Sequence, residues 1–342
     1  MDEGIKPTVD RLAQENIAIA QEDWDAFETS WNFRQHPLVQ YRGTAGRLAE
    51  AFEHWTAHAW RQFRTMQAHE TELNRLFIDL YGLQEELTPD VPDEDITLRL
   101  ADRKRDAQFF LSYFVGCLMG RYSLDEPGLI YAGGPWDPTR YASFAPVEDG
   151  IVVLTESPYF TQDIIQRLEE FLTVLYGAPY VGENLQWLAD SLEARAGESA
   201  TERLRRYFLQ DFFNAHGSVY KKRPIYWLFS AGPRQGFQAL LYGHRYTTES
   251  VARLRLQYLQ PLQMKVAAEI TQGQARLRDL VLGPAERRAA DRRLELLSDR
   301  QAECARYDQI LAELADQRVP LDLDDGVLRN VAKLAPALAP IK

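Results

Sequence analysis

Lys221, Lys222 and Arg223 stand in a row immediately before Pro224 and an apolar run, and they are the leading candidates for chemistry in this chain. Cations grouped this way neutralise phosphate oxygens without reading bases. Arg234, in a glycine-containing turn, and Arg245, Arg253 and Arg255 are second candidates for the same task. The competing reading, of equal weight, is that all seven side chains cap helices and strands in solvent.

Charge along the chain gives this reading its context. The formal net charge of the 342 residues is −11, which excludes a uniformly basic nucleic-acid coat. Residues 1–200 carry 16 Lys or Arg against 34 Asp or Glu, residues 201–300 carry 18 against 9, and the last 42 carry 5 against 7. Such polarity lets one surface approach phosphate while the rest repels it, provided that the basic residues share a face.

Residues for catalysis or metal binding do not assemble into a pattern. His54 and His58 are four apart, but HWTAH lacks the glutamate of a metallohydrolase helix, so a packing role is expected. LDLDDG near the end lacks the ordered ligands of a calcium loop and reads as a solvated turn or helix cap. There is no GxGxxG, Walker or G-x-S-x-G motif. Tyr131, Trp136, Tyr141 and His244 could line a pocket, although aromatic-rich cores do so without chemistry. Cys117 and Cys304 lie 187 residues apart and read as buried, reduced thiols. No catalytic residue, cofactor ligand or metal ligand is assigned.

The composition, 45% hydrophobic and 26% charged, is that of a globular chain. The most apolar stretch, Phe109 to Met119, is too short to cross a bilayer. The acidic N-terminus has no secretory pattern. A cytoplasmic protein without a membrane partner is therefore expected.

The elements that must position the basic residues are mainly helical. A short helix is expected at Val9–Ile19, with Trp24, Phe27 and Trp31 on one helical face capping a core, and Pro37 ending the pattern. Apolar positions from Leu48 through Leu80 recur near 3.6 residues, which predicts a helix over 45–81 with Thr44 as its cap and Gly82 beyond its end. Too long to stand alone, it should pair with another helix or straddle two subdomains. A helix at 98–119, apolar nearly all round, should be central and buried, with Gly116 and Gly120 admitting a neighbouring backbone. The loop at 123–150 should wrap across it.

Ile151–Leu154 is a candidate short strand, and helices are expected at 160–176, 183–194 and 200–214. Alternation in Arg223–Tyr246 predicts two strands joined by SAGPRQG, apolar on both faces and covered by helices. Leu254, Leu259, Leu262, Val266, Ile270, Leu277 and Leu280 form one stripe, and Leu294, Leu297, Ile310, Leu311 and Leu314 another, separated by Gly283-Pro284. They predict an antiparallel helical hairpin, kinked at Pro261 or starting after it. The fold class is thus mainly α, an elongated helical assembly with a small β-hairpin and a C-terminal antiparallel long-helix hairpin. Its expected divisions are 1–95, 96–247 and 248–342.

Several strings in order carry a resemblance: DWDAFETSWNF followed by HPL, LNRLFIDLYGLQEELTPDVP, SYFVGCLMGRYSLDEPGLIYAGG, YFLQDFFNAH, KKRPIYWLFSAGPRQGFQALLYGHRY and LDLDDGV. The chain resembles the C-terminal region of the PglX family, the adenine-specific DNA methyltransferases of BREX bacteriophage-exclusion systems. The resemblance covers nearly the whole chain. It implies a larger parent enzyme that uses S-adenosylmethionine and methylates adenine N6 in double-stranded DNA.

The family's Asn-Pro-Pro-Tyr motif and glycine-rich cofactor segment do not occur here. Gly177-Ala178-Pro179-Tyr180 and Glu156-Ser157-Pro158-Tyr159 share only Pro-Tyr with that motif. The implied role is a non-catalytic module supporting DNA engagement in antiviral defence, with the upstream methyltransferase domain as partner. The alternative is a scaffold that docks other exclusion-system proteins or braces the methyltransferase body.

Overall fold

The computed structural model describes residues 4–278 and 282–341, so Leu280 of the expected stripe lies outside the described residues. Helix α1 (Lys6–Asp25) and the short α2 (Pro37–Gln40) precede the long α3 (Leu48–Tyr81) and the central α4 (Arg103–Leu118). Strand β1 (Ile151–Leu154) leads to α5 (Ile164–Tyr176), α6 (Val181–Ser191), α7 (Ala200–Arg206) and α8 (Phe212–Val219). Strands β2 (Tyr226–Ser230) and β3 (Gln238–Tyr242) follow, then α9 (Ser250–Arg253), α10 (Gln260–Leu277), α11 (Pro284–Gln317) and α12 (Val327–Lys333). The mainly helical class expected from the periodicities is the one observed. Among the described residues no helix is long and apolar enough to cross a membrane.

The long third helix starts at Leu48, and Thr44 does not cap it. Arg47 occupies the cap position without a side-chain bond, and the Leu48 N–H instead donates to Asn184 Oδ1 of α6 at 2.7 Å. A partner far away in sequence thus satisfies an orphan donor that local sequence leaves open. At the other end Gly82 adopts φ +67, as a left-handed C-terminal glycine should. The helix pairs with α1 through Ile19, Phe63 and Met66.

The first helix ends at Asp25, so the spacing of Trp24, Phe27 and Trp31 never becomes one helical face. Phe27 is buried, whereas Trp24 is 59% exposed and Trp31 wholly exposed. The expectation that all three cap a core is corrected on that ground: the chain turns, with Ser30 Oγ donating to Asp25, and the period is lost.

The fourth helix is buried along nearly its whole length after Arg105, capped by Asp102, whose side chain accepts the Arg105 N–H at 2.7 Å. Gly116 and Gly120 admit aromatic rings, not a neighbouring backbone as expected. A Cβ on Gly116 would lie 2.4 Å from the Tyr122 ring, and one on Gly120 2.4 Å from the Trp136 ring. The loop after this helix folds back over its end, Val147 N–H donating to Leu118 O and Tyr141 OH to Gly120 O.

The two expected strands are joined by a third. All pairings are antiparallel in the order β1-β3-β2, with Val152 opposite Leu240 and Leu228 opposite Leu240 on the other side. Period-two alternation sends Val152, Leu154, Tyr226, Leu228, Leu240 and Tyr242 into the core built on α4–α8. Ile151, Val153, Trp227, Phe229, Ala239 and Leu241 face a second core built on α9–α11. Both faces are therefore covered. The outer edge of β2 is closed by the C-terminal tail, where Ala339 N–H donates to Leu228 O at 2.8 Å and Phe229 bridges Leu338.

The C-terminal hairpin is antiparallel: Glu249 pairs with Arg318, Arg255 with Asp308 and Glu269 with Arg293. Pro261 stands in the first turn of α10, which continues directly from a π-helical stretch, Leu254–Leu259, and this widened turn accommodates a residue that has no N–H to give and needs extra room.

Candidate nucleic-acid interface

The basic turn is a product of how α8 ends. Lys221 and Lys222 both take left-handed backbone angles, φ +51 and +61. Their N–H groups close the helix on Ser218 O at 3.1 Å and Gly217 O at 2.7 Å, and Arg223 N–H donates to Tyr220 O. Glycine or asparagine is the economical choice for such positions, and a lysine costs about 1 kcal/mol more at each. The turn then enters β2 through buried Pro224, whose carbonyl accepts from Trp227 Nε1 at 3.2 Å.

A buried imidazole fixes the far side of the turn. His216 Nε2 accepts the main-chain N–H groups of Ile225 at 3.1 Å and Tyr226 at 3.3 Å. Its ring lies between Phe212 and Tyr226, with centroids 5.9 and 4.6 Å away. Burial, and then the charge of Arg121, push its pKa down to about 3, so it stays a neutral acceptor. The outcome is three adjacent exposed cations, at 221–223, with no carboxylate partner among the described residues. The negative end of the helix dipole favours positive charge there.

The other candidate arginines lie on other elements than this turn. Arg234 in the β2–β3 loop pairs with Asp299 of α11 at 3.2 Å, and Arg255 grips Asp308 with two parallel bonds of 2.9 and 3.0 Å. Arg245 donates to Val147 O at 2.6 Å and to Glu148 O, with the Trp136 ring 3.9 Å from its guanidinium carbon. Arg253 is exposed and makes no ion pair among the described residues.

Sequence reading missed the polar cluster behind the turn. Arg121, just past α4, donates to Tyr122 OH at 3.0 Å and Tyr242 OH at 3.3 Å. Burial alone would lower its pKa, but the surrounding tyrosines Tyr122, Tyr226, Tyr220 and Tyr242 outweigh burial and raise it. Glu28, His216 and Tyr220 complete the surroundings, and burial raises the Glu28 carboxyl. Buried Glu28 Oε2, Tyr220 OH, Tyr226 OH, His216 Nδ1 and His244 Nδ1 lack a protein partner. Its members come from positions 28 to 244, so no local motif announces it.

The remaining candidates have structural partners. His58 Nε2 meets Tyr41 OH at 3.1 Å and Glu22 Oε1 at 3.0 Å, and His54 Nδ1 meets Tyr41 O. Trp136 stacks on Tyr141 at 5.0 Å and meets Tyr131 edge-on, so these rings pack on one another. Asp322 caps the turn at 323–325, accepting from Asp324 N–H at 2.9 Å, as its sequence suggests. Both cysteines are buried, and burial pushes the Cys304 thiol up to about 12. Among the described residues no group of three or more His, Cys, Asp or Glu could hold a metal ion.

The two Pro-Tyr segments are also engaged. Tyr180 packs beneath Arg47, 4.7 Å from ring centroid to guanidinium carbon, and fills the space at Gly46. Tyr159 OH donates to Glu269, and Glu156 is held by Arg293 and Arg300. Neither segment offers the asparagine that a methyl-donor and adenine site of that kind requires, so the residues present do not fit such a site.

No family model matches the chain. It is 41% identical over 333 residues to the adenine-specific methyltransferase PglX of Lacticaseibacillus casei (strain Zhang), covering 96% of this chain and 28% of that protein. It is 33% identical over 360 residues to the adenine-specific methyltransferase BrxX of Escherichia coli O9:H4 (strain HS), covering 97% of this chain and 29% of that protein. The chain thus spans less than a third of the length of either relative.

Proposed function

Because the chain is a homologue of one segment of the PglX and BrxX adenine-specific methyltransferases, we propose that it serves as the non-catalytic C-terminal module of such an enzyme and supports DNA engagement in bacteriophage defence. Methyl transfer from S-adenosylmethionine belongs, in this reading, to the remainder of the parent enzyme. The module works in the cytoplasm, where it holds double-stranded DNA against that body.

The observation that carries the reading is the turn at 221–223. Three unpaired cations are exposed side by side, two of them in backbone conformations that glycine would occupy at lower cost. Strain retained for the sake of a charged side chain points to a use for that charge. Lysine and arginine there neutralise phosphates and leave base recognition to other groups. Titrating the chain with duplex DNA at low and rising salt tests this. Loss of affinity when Lys221, Lys222 and Arg223 become alanine supports the contact, and full affinity in that variant removes it.

A second reading, a scaffold that braces the methyltransferase body or docks other exclusion-system proteins, is favoured by the hairpin's first arm. Leu256 and Met264, eight residues apart, are 56% and 68% exposed. Co-purification with the remainder of the parent enzyme, compared with a Leu256→Ser, Met264→Ser variant, measures that role. Equal recovery of both variants would count against it.

A further inference from the structure

Among the described residues two groups of cations in the basic stretch 201–300 lack a carboxylate partner, as does the lone Arg253. Among the described residues seven of the fifteen arginines in that stretch are neutralised internally: Arg203 by Asp211, Arg205 by Asp163, Arg206 by Glu198, Arg234 by Asp299, Arg255 by Asp308, and Arg293 and Arg300 by Glu156. One unpaired group is the turn at 221–223. The other stands at the far end of the helical hairpin. Arg276 is in the last turn of α10, Arg278 caps it, and Arg288 and Arg292 lie in the opening turns of α11. All four are exposed, and none pairs with a carboxylate among the described residues.

This end projects from the core. The last buried residue of α10 is Ile270 and the first of α11 is Leu297. At 1.5 Å per residue the arms run roughly 10 and 20 Å beyond those positions. They are braced: Leu294 lies so close to Gly273 that an added Cβ would meet it at 2.6 Å, and Arg293 ties Glu269 of the opposite arm at 2.9 Å. The arginines are therefore presented on a packed support.

Their placement is unfavourable in the free protein. Arg288 and Arg292 are four apart on one helical face and repel each other. Glu286, the acidic residue of the first turn, closes the cap on Gly283 N–H at 3.0 Å. An external polyanion relieves this repulsion.

We propose that the hairpin tip, through Arg276, Arg278, Arg288 and Arg292, is a second contact for the phosphodiester backbone of duplex DNA, separate from the turn at 221–223. The proposal rests on the reading that the chain engages DNA. It gives the module two contact points on different elements, so that a duplex is held in orientation as well as held.

The experiment is the salt dependence of duplex binding by the full 342-residue chain, using a labelled duplex of mixed sequence. Each phosphate contact contributes about −0.9 to the slope of log K against log salt. Changing all four tip arginines to glutamine should flatten the slope by about 3.6, and changing Lys221, Lys222 and Arg223 to glutamine by about 2.7. Four tip lysines should restore the slope, because phosphate neutralisation needs only charge, and circular dichroism melting checks that every variant folds.

A tip-glutamine variant with the parental slope overturns the tip contact and leaves the turn standing. A turn variant with the parental slope does the reverse. Absence of duplex binding by the parental chain removes both. Tighter binding to phosphatidylserine vesicles than to duplex, lost in the tip variant, assigns the tip to a membrane surface and overturns the proposal.

Discussion

His216 accepts the main-chain N–H of Ile225 at 3.1 Å, and through this bond the buried core dictates where the exposed turn at 221–223 lies. The same nitrogen takes the N–H of Tyr226, so His216 must be unprotonated there for both bonds to persist. A second histidine has a similar duty. His36 Nδ1 accepts the Leu38 N–H at 3.1 Å and caps α2, and burial followed by the charge of Arg105 pushes its pKa down to about 3.

Stability should therefore fall in acid. Unfolded histidines take up protons below about pH 6.5, whereas these two stay neutral when folded down to about pH 3. The unfolded state binds more protons in that window, so stability is full above it and is lost as pH falls through it. Each histidine should remove about 2 kcal/mol by pH 5. Urea unfolding at pH 7 and pH 5 measures the loss. His36→Asn keeps a capping oxygen and should shrink the loss by about 2 kcal/mol; an unchanged pH dependence in that variant would count against this account.

Lys222→Gly should move stability and binding in opposite directions. Glycine relieves the left-handed strain at φ +61 and should stabilise the chain by about 1 kcal/mol. The same change deletes a cation and should weaken duplex binding. Thermal melts and a binding isotherm on one preparation read both, and a variant that binds more tightly would contradict the role given to this turn.

Glu303 should prove costly to remove. It is 3% exposed, and its carboxylate accepts the N–H groups of Arg234 at 3.0 Å and Gly236 at 2.9 Å, fastening the β2–β3 loop to α11. Glu303→Ala leaves the buried Gly236 donor and the part-buried Arg234 donor unpaired, for a loss of about 1–3 kcal/mol. Glu303→Gln keeps one acceptor oxygen and should cost less. Denaturant midpoints of the two variants give the ordering.

Gly116→Ala should destabilise although alanine is the better helix former. The propensity gain is about 1 kcal/mol. Against it, the new methyl would lie 2.4 Å from the Tyr122 ring and 3.2 Å from Tyr226 OH in a filled interior. Overpacking of that kind costs about 1–3 kcal/mol. A melting temperature above the parental value would show that Tyr122 can yield.

Elements governed by one period were legible in advance. Trp55, Ala59, Phe63 and Met66 recur at helical spacing and are buried together, so α3 was visible without a structure. The same holds for Ile225 to Phe229, whose apolar alternation foretold a sheet covered on both sides. Legibility ended where a partner lay far along the chain. Nothing near Thr44 reveals that Asn184 caps α3, and nothing near Trp31 reveals that the helix before it has already stopped.

The candidate interface divides in the same way. From its residues alone, the chain declared a basic stretch, a run of three cations ahead of a strand, and a kinship with the PglX methyltransferases. Charge and spacing are local properties, and they survive without folding. Which cations remain free was decided only by tertiary structure, because neutralisation depends on carboxylates such as Asp163, Asp299 and Asp308, tens of residues away from the arginines they meet. Among the described residues folding paired seven of the fifteen arginines of the basic stretch with carboxylates, and left the lysine turn and Arg276, Arg278, Arg288 and Arg292 of the hairpin tip without such partners.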